Sequence, residues 1–224
     1  MDTTFDQISN SRELVTFVSC TPDGDKLISF VARVSNPNNQ TKFDTASKLI
    51  KYLIDNQHWS PFEHAYLTVQ IHTSRAIAAQ ILRHRSFTFQ EFSQRYSAVQ
   101  DFVKYEARRQ DNKNRQNSID DMPDEDKSWF GSAQDIAWEE SKRLYDEALQ
   151  RGIAKEQARF LLPLNTATTI YMTGSVRSWI HYIQLRSGNG TQKEHADIAI
   201  AAKSIIAKRF PDVATALEWI EESK

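Results

Sequence analysis

A chain of 224 residues, 40% of them hydrophobic, is long enough for a sizeable core and short enough to form one domain. Its formal net charge of −1 and pI of about 6.6 exclude a protein that attracts polyanions over its whole surface, and its single cysteine, Cys20, excludes an internal disulfide and suits a reducing compartment. The start at Met1 lacks the basic and apolar regions of a signal peptide, and no run approaches about 18 apolar residues, so the expectation is a soluble, cytoplasmic protein without a membrane partner.

In chain order, Leu14 to Cys20 is rich in β-formers and ends at Thr21-Pro22-Asp23-Gly24, which reads as a strand and a turn. Helical periodicity follows over Lys26 to Val34 and over Phe43 to Asn56, where Ala46, Leu49, Ile50, Leu53 and Ile54 make one apolar stripe. From His64 to His72 the chain alternates, with Ala65, Leu67, Val69 and Ile71 on one face and Tyr66, Thr68, Gln70 and His72 on the other. That is the pattern of a half-buried strand. Arg75 to Arg83 reads as a helix that brings Gln80, Arg83 and His84 to one side.

Asp101 to Ser132 is polar and without period, which predicts a long loop, either a functional lid or a disordered segment. Helices are expected at Ala133 to Arg151 and at Ala154 to Leu162, the second stopped by Pro163. A strand at Thr166 to Thr173, a helix at Ser175 to Leu185 and a turn at Gly188-Asn189-Gly190 follow. A long helix from Gln192 to Phe210 and a last short one complete the chain. Strands interleave with helices without an internal repeat, so the expectation is one α+β domain over residues 1–224.

The chemistry is concentrated between Arg83 and Tyr96. Three adjacent cations, Arg83-His84-Arg85, suit a phosphate or pyrophosphate, because guanidinium groups give forked, charge-assisted hydrogen bonds to anionic oxygens. An isolated triplet at a helix end would do no more than complement the helix dipole; here Glu91, Ser93 and Arg95 follow, and Ser93 with Arg95 adds a second small anion site. From Arg83 to Arg115 eight Lys or Arg face four acids, a local surplus of +4. Two further blocks stand out, His58-Trp59-Ser60-Pro61-Phe62-Glu63-His64 and Ala158-Arg159-Phe160-Leu161-Leu162-Pro163, followed by Ser175-Val176-Arg177-Ser178 through His181 to Leu185-Arg186. At roughly 3.6 residues per turn, Arg177 and His181 share a helix face while Arg186 lies about half a turn round, so one helix offers cations to two pockets. His58 and His64 lack a third ligand at a characteristic spacing, and no metal site is expected.

Arg-His-Arg, seven residues, Ser, then Arg-Tyr resembles the signature of the flavin-dependent thymidylate synthases, the ThyX family. His58 to His64 is similar to the family's His-x-Thr-Pro-Phe-Glu-His, the third block to its Ala-Arg-x-x-Leu-Pro and Asn-x-Arg-Ser with a terminal Leu-Arg, and Asn112 to Ser118 to its Asn-Lys-Gln-Gly-Ser loop. The likeness runs from His58 to Glu194. It implies a mainly antiparallel sheet flanked by helices, assembled as a homotetramer with sites at subunit interfaces. It also implies an FAD-dependent enzyme that makes dTMP from dUMP, with methylenetetrahydrofolate as carbon donor and NADPH as reductant.

By the same resemblance, Ser60, Arg83, His84, Arg85, Glu91, Ser175, Arg177 and His181 would contact FAD. Gln80, Arg83, Glu91, Ser93, Arg95, Arg159 and Arg186 would surround dUMP. The catalytic pair would be Arg186, stabilising the ionised uracil at N3, and Ser93, donating a hydrogen bond to the nucleotide. The residue types agree with that chemistry: hydride arriving at C6 of uracil leaves negative charge on the C4 carbonyl and N3, where a fixed guanidinium acts most strongly in the transition state. No nucleophilic cysteine is needed, unlike attack by a thiolate at C6. Cys20 lies far from every motif in the sequence.

The chain departs from the family at Thr88 and Gln90, where Ser and Asn are usual, at Phe92, at Ser175 in place of Asn, and at Gly188-Asn189-Gly190, where a histidine often stands. A competing expectation is a nucleic-acid-binding protein that uses Phe87, Phe89, Phe92, Tyr96 and Tyr105 as stacking platforms on the +4 segment. A second is a flavoprotein of the same fold that has lost thymidylate synthesis. The acidic balance of the chain favours the enzyme, with no nucleic acid polymer as partner.

Overall fold

Alternation sets the centre of the fold. In strand β2 (Tyr66–Ser74) the side chains of Leu67, Val69 and Ile71 are all buried on one face. The computed structural model describes residues 4–99, 101–188 and 190–220. In it β2 pairs antiparallel with β1 (Val15–Cys20) on one side and with the strand Ala167–Ser175 on the other, whose far edge pairs with β3 (Thr88–Glu91). The register sets Val69 opposite Met172 and Ile71 opposite Ile170, so the buried face runs unbroken across the sheet.

Helices α2 (Gly24–Ala32), α3 (Ala46–Asp55), α7 (Val176–Arg186), α8 (Lys193–Arg209) and α9 (Pro211–Ala216) join this face in one core. Trp179 is fully buried and its indole N–H donates to the Leu67 carbonyl at 3.0 Å, which satisfies the one polar atom that the ring brings inside. The opposite face of β2 is more covered than alternation alone implies. Helix α1 (Phe5–Asn10) lies across it, and Gln70, buried, donates to the Ile8 carbonyl at 3.1 Å. A reciprocal Thr4 and Gln7 capping box starts α1.

Three expectations are corrected. The segment 101–132 is not one loop: it holds the hairpin β4 (Arg109–Gln110) and β5 (Ser118–Ile119) and the first turns of α5 (Asp124–Gln150). Those turns show no apolar period because they face solvent, with Trp129 68% exposed; Asp124, Glu125 and Asp126 complement the helix dipole instead. The helix expected at 154–162 is α6 (Lys155–Ala158) followed by a 3₁₀ turn, Arg159–Leu161, and the strand Ala167–Ser175, β6, runs two residues beyond its expected end. Of the turn expected at 188–190, Asn189 lies outside the described residues.

Candidate active site

Helix α4 (Arg75–Ile81) ends before the cationic triplet, and the chain turns there: the His84 amide donates to the Ile81 carbonyl at 3.0 Å and the Phe87 amide to the His84 carbonyl at 3.3 Å. Phe87 anchors the turn by packing edge-on against Trp179 and Tyr182, at 4.9 and 5.8 Å between ring centres. Arg83 and Arg85 stay exposed while His84 is half-buried.

His84 stands edge-on to Tyr182 at 4.9 Å and to His195 at 5.9 Å. Its Nε2 lies 3.0 Å from Nε of Arg186. A guanidinium only donates, so His84 accepts there and is neutral, with its hydrogen on Nδ1. Burial, reinforced by the charges of Arg186, His181 and Arg83, pushes the His84 pKa down to about 4. His195, fully buried behind it, is likewise pushed down to about 4 by burial and then by Arg186 and His84. Both folded-state values fall below the ordinary 6.5, so the fold favours neutral rings. Their contribution to stability is full above that ordinary value and is lost as the pH falls through the lowered one. The terminal nitrogens of Arg186 have no partner among the described residues.

A second group borders a cleft of 610 Å³ lined by Trp59, Glu63, Ser86, Arg177 and His181, among others. Glu63 sits in the 3₁₀ turn Ser60–His64 and takes Arg177 Nη1 at 2.8 Å and the Ser175 hydroxyl at 2.5 Å. Burial pushes the Glu63 carboxyl up, but the bonds from Ser175 and Arg177 outweigh it and hold the group below its ordinary value. Ser175 also caps α7 by accepting from the Ser178 amide at 3.3 Å. Ser60 opens the turn and is exposed. The donor set fits a flavin dinucleotide: exposed Arg83 and Arg85 make no ion pair among the described residues, and Arg85 directly precedes Ser86 on the cleft wall.

The third group lies along the edge beside β3. Glu91 takes Arg75 Nη1 at 2.7 Å and the Thr168 hydroxyl at 3.0 Å. Arg95 pairs with the Glu156 carboxylate at 3.2 Å, and Arg159 donates to the Glu156 carbonyl at 3.2 Å. Arg75, Gln94 and Arg159 line one cleft of 320 Å³. Ser93 is half-buried, its hydroxyl accepting from the Arg95 amide at 3.4 Å. The nucleotide residues expected from the sequence therefore divide: Gln80 and Arg186 gather around His195 and His84, while Glu91, Ser93, Arg95 and Arg159 lie along the other edge.

Sequence reasoning missed Tyr182, His195, Arg75 and Glu156, whose roles come from contacts between distant segments. Glu63 was within reach, inside the block from His58 to His64. Of the rings read as stacking platforms, Phe87 is buried and Tyr105 donates its hydroxyl to Ser74 at 2.7 Å. Lys104 and Arg109 of the basic segment pair with Asp135 and Asp121, both at 2.5 Å. The rings and cations of that segment thus form no single exposed platform.

A family model described as thymidylate synthase complementing protein matches residues 16–212. A protein of Paramecium bursaria Chlorella virus 1 is 56% identical over 197 residues, 88% of this chain and 91% of that protein. A flavin-dependent thymidylate synthase of Synechocystis sp. is 53% identical over 219 residues, 98% of this chain and all of that protein. Among solved structures, the UMP/dUMP methylase PolB of Streptomyces cacaoi bound with 5-Br UMP superposes with a TM-score of 0.80 at 26% identity, covering 92% of this chain and 93% of that one. Matched over most of its length in sequence and in fold, the chain belongs to the thymidylate synthase complementing protein family.

Proposed function

We propose that this chain is a flavin-dependent thymidylate synthase that converts dUMP to dTMP, with methylenetetrahydrofolate as carbon donor, NADPH as reductant and FAD as the resident cofactor. Its kinship with the Synechocystis enzyme supports the activity, and the nucleotide-bound structures of the Streptomyces methylase support a uracil nucleotide as substrate. The observation that carries the chemistry is the contact of Arg186 with neutral His84. It fixes one edge of a guanidinium and leaves the other for a ligand.

FAD, when bound, supplies hydride-transfer chemistry between NADPH and the nucleotide. The chain's own residues bind and orient. Arg83, Arg85 and Arg177 supply cationic donors for the cofactor's phosphates, with Ser60, His84, Glu91, Ser175 and His181 completing its contacts. Glu91, Arg95 and Arg159 hold the nucleotide, Ser93 donates a hydrogen bond to it, and Gln80 and Arg83 complete the pocket. Arg186 faces uracil N3 and the C4 carbonyl, where charge grows as hydride reaches C6. Division of these residues among three places on one chain supports sites completed between subunits of a homotetramer. Among the described residues no helix is long and apolar enough to cross a membrane, and we place the enzyme in the cytoplasm.

Purified protein is expected to carry a flavin absorption band and to oxidise NADPH faster when dUMP and methylenetetrahydrofolate are present, with dTMP formed. A colourless protein that takes up no FAD, or one that forms no dTMP when loaded with flavin, would contradict the reading.

A further inference from the structure

Behind Gln80 a continuous file of hydrogen bonds runs from the segment before β4 into the core under Arg186. Arg108 meets the Glu194 carboxylate, with both side chains largely buried, at 10% and 16% exposure. Gln192 Nε2 donates to the other Glu194 oxygen at 2.9 Å, and Gln80 Nε2 donates to Gln192 Oε1 at 2.7 Å. Gln80 Oε1 lies 3.3 Å from His195 Nδ1, and His195 Nε2 lies 3.1 Å from the Tyr182 hydroxyl.

Directions along this file are set by chemistry. A carboxylate only accepts, so Gln192 must present its NH₂ to Glu194 and its carbonyl to Gln80. Gln80 must then present its carbonyl to His195, which puts the imidazole hydrogen on Nδ1 and leaves Nε2 to accept from Tyr182. Every donor therefore points toward the charge on Glu194, and hydrogen bonds polarised in one direction reinforce one another. His195 and Tyr182 are fully buried, and burial pushes the Tyr182 phenol upward, keeping it a donor. The Arg108 and Glu194 pair lines both clefts that flank the 105–118 segment.

We propose that Glu194, Gln192 and His195 are positioning residues that fix the Gln80 amide for the nucleotide, with Arg108 anchoring Glu194 at the far end of the file. This rests on the reading of Gln80 as a dUMP residue. None of the three touches the reacting atoms; they act through Gln80, which has only one amide orientation compatible with its neighbours.

The test is a double-mutant cycle on flavin-loaded protein, with dUMP affinity as the readout. Glu194→Gln removes the charge on which the donors converge without changing side-chain shape, and is expected to weaken dUMP binding about tenfold, the scale of a lost charge-assisted bond. In a Gln80→Ala background the same change is expected to have almost no further effect. His195→Asn, which keeps an N–H near the place of Nδ1, is expected to restore most of the affinity that His195→Leu loses. Should Glu194→Gln fail to fold, Arg108→Met probes the same end of the file. Equal weakening by Glu194→Gln in both backgrounds, or none in either, would overturn the proposal. Nitrogen NMR of His195 without nucleotide separates this from the functional reading: an Nε2–H tautomer sinks the file, whereas wild-type protein that does not bind dUMP but carries the Nδ1–H tautomer sinks only the assignment of Gln80 to the nucleotide.

Discussion

Arg186→Lys is expected to lower the rate of dTMP formation by about 100-fold or more, the typical cost of one donor aimed at a developing anion, while flavin content is expected to stay at the wild-type level. Lysine keeps the charge but not the planar fork. In the structure one edge of the guanidinium is spent on His84, 3.0 Å from Nε, and the terminal nitrogens remain for the ligand. A single ammonium cannot serve both directions. The side chains assigned to the cofactor, among them Arg83, Arg85, Arg177 and His181, remain in place, so retention of flavin separates a catalytic loss from a binding loss. Single-turnover formation of dTMP from flavin-loaded protein is the measurement, since it removes product release from the rate. An unchanged rate would take Arg186 out of the chemistry.

Gly174→Ala is expected to cost about 1–3 kcal/mol, the range for an overpacked core, and to lower the melting temperature by roughly 5 °C. A Cβ at this position in β6 would lie 2.5 Å from two carbons of the Phe87 ring. The ring cannot swing aside, because Phe89, Trp179 and Tyr182 surround it with centres 6.2, 4.9 and 5.8 Å away. Phe87 closes the turn that presents Arg83 and Arg85, so displacement of the ring should lower flavin content together with stability. Phe87→Leu, placed in the Gly174→Ala background, should return part of both. Thermal unfolding with flavin quantified on the same samples checks the pair of effects; a Gly174→Ala protein with normal melting and full flavin content would contradict the anchoring role of Phe87.

How much of this was readable beforehand follows from the range of each interaction. The buried face of β2 follows from alternation over nine residues, a local signal. So does the apolar stripe of α3, with Ile50 and Leu53 buried. The cover over Gln70 was not readable, because α1 reaches it across 62 positions of sequence. Charge rather than apolar period starts α5, and a search for period alone takes its first turns for loop. At the candidate site the cations were legible from residue type and spacing, and the family resemblance assigned them. Their pairing with acids was not: Glu63 stands in a recognisable block, but Arg177 finds it across 114 positions, and Arg95 finds Glu156 across 61. Buried His195 carries no local mark that distinguishes it from a surface histidine on an amphipathic helix. Its importance appears only when Gln80 and Tyr182 are placed on either side of it.

If thymidylate synthesis in this chain runs on hydride chemistry without an enzyme thiol, Cys20→Ser leaves it intact. Cys20 is the only cysteine in the chain and ends β1 opposite Leu67. Formation of dTMP from dUMP, methylenetetrahydrofolate and NADPH should proceed in the folded, flavin-loaded Cys20→Ser protein at close to the wild-type rate. Loss of dTMP formation in that protein, with its fold and flavin intact, would contradict the account.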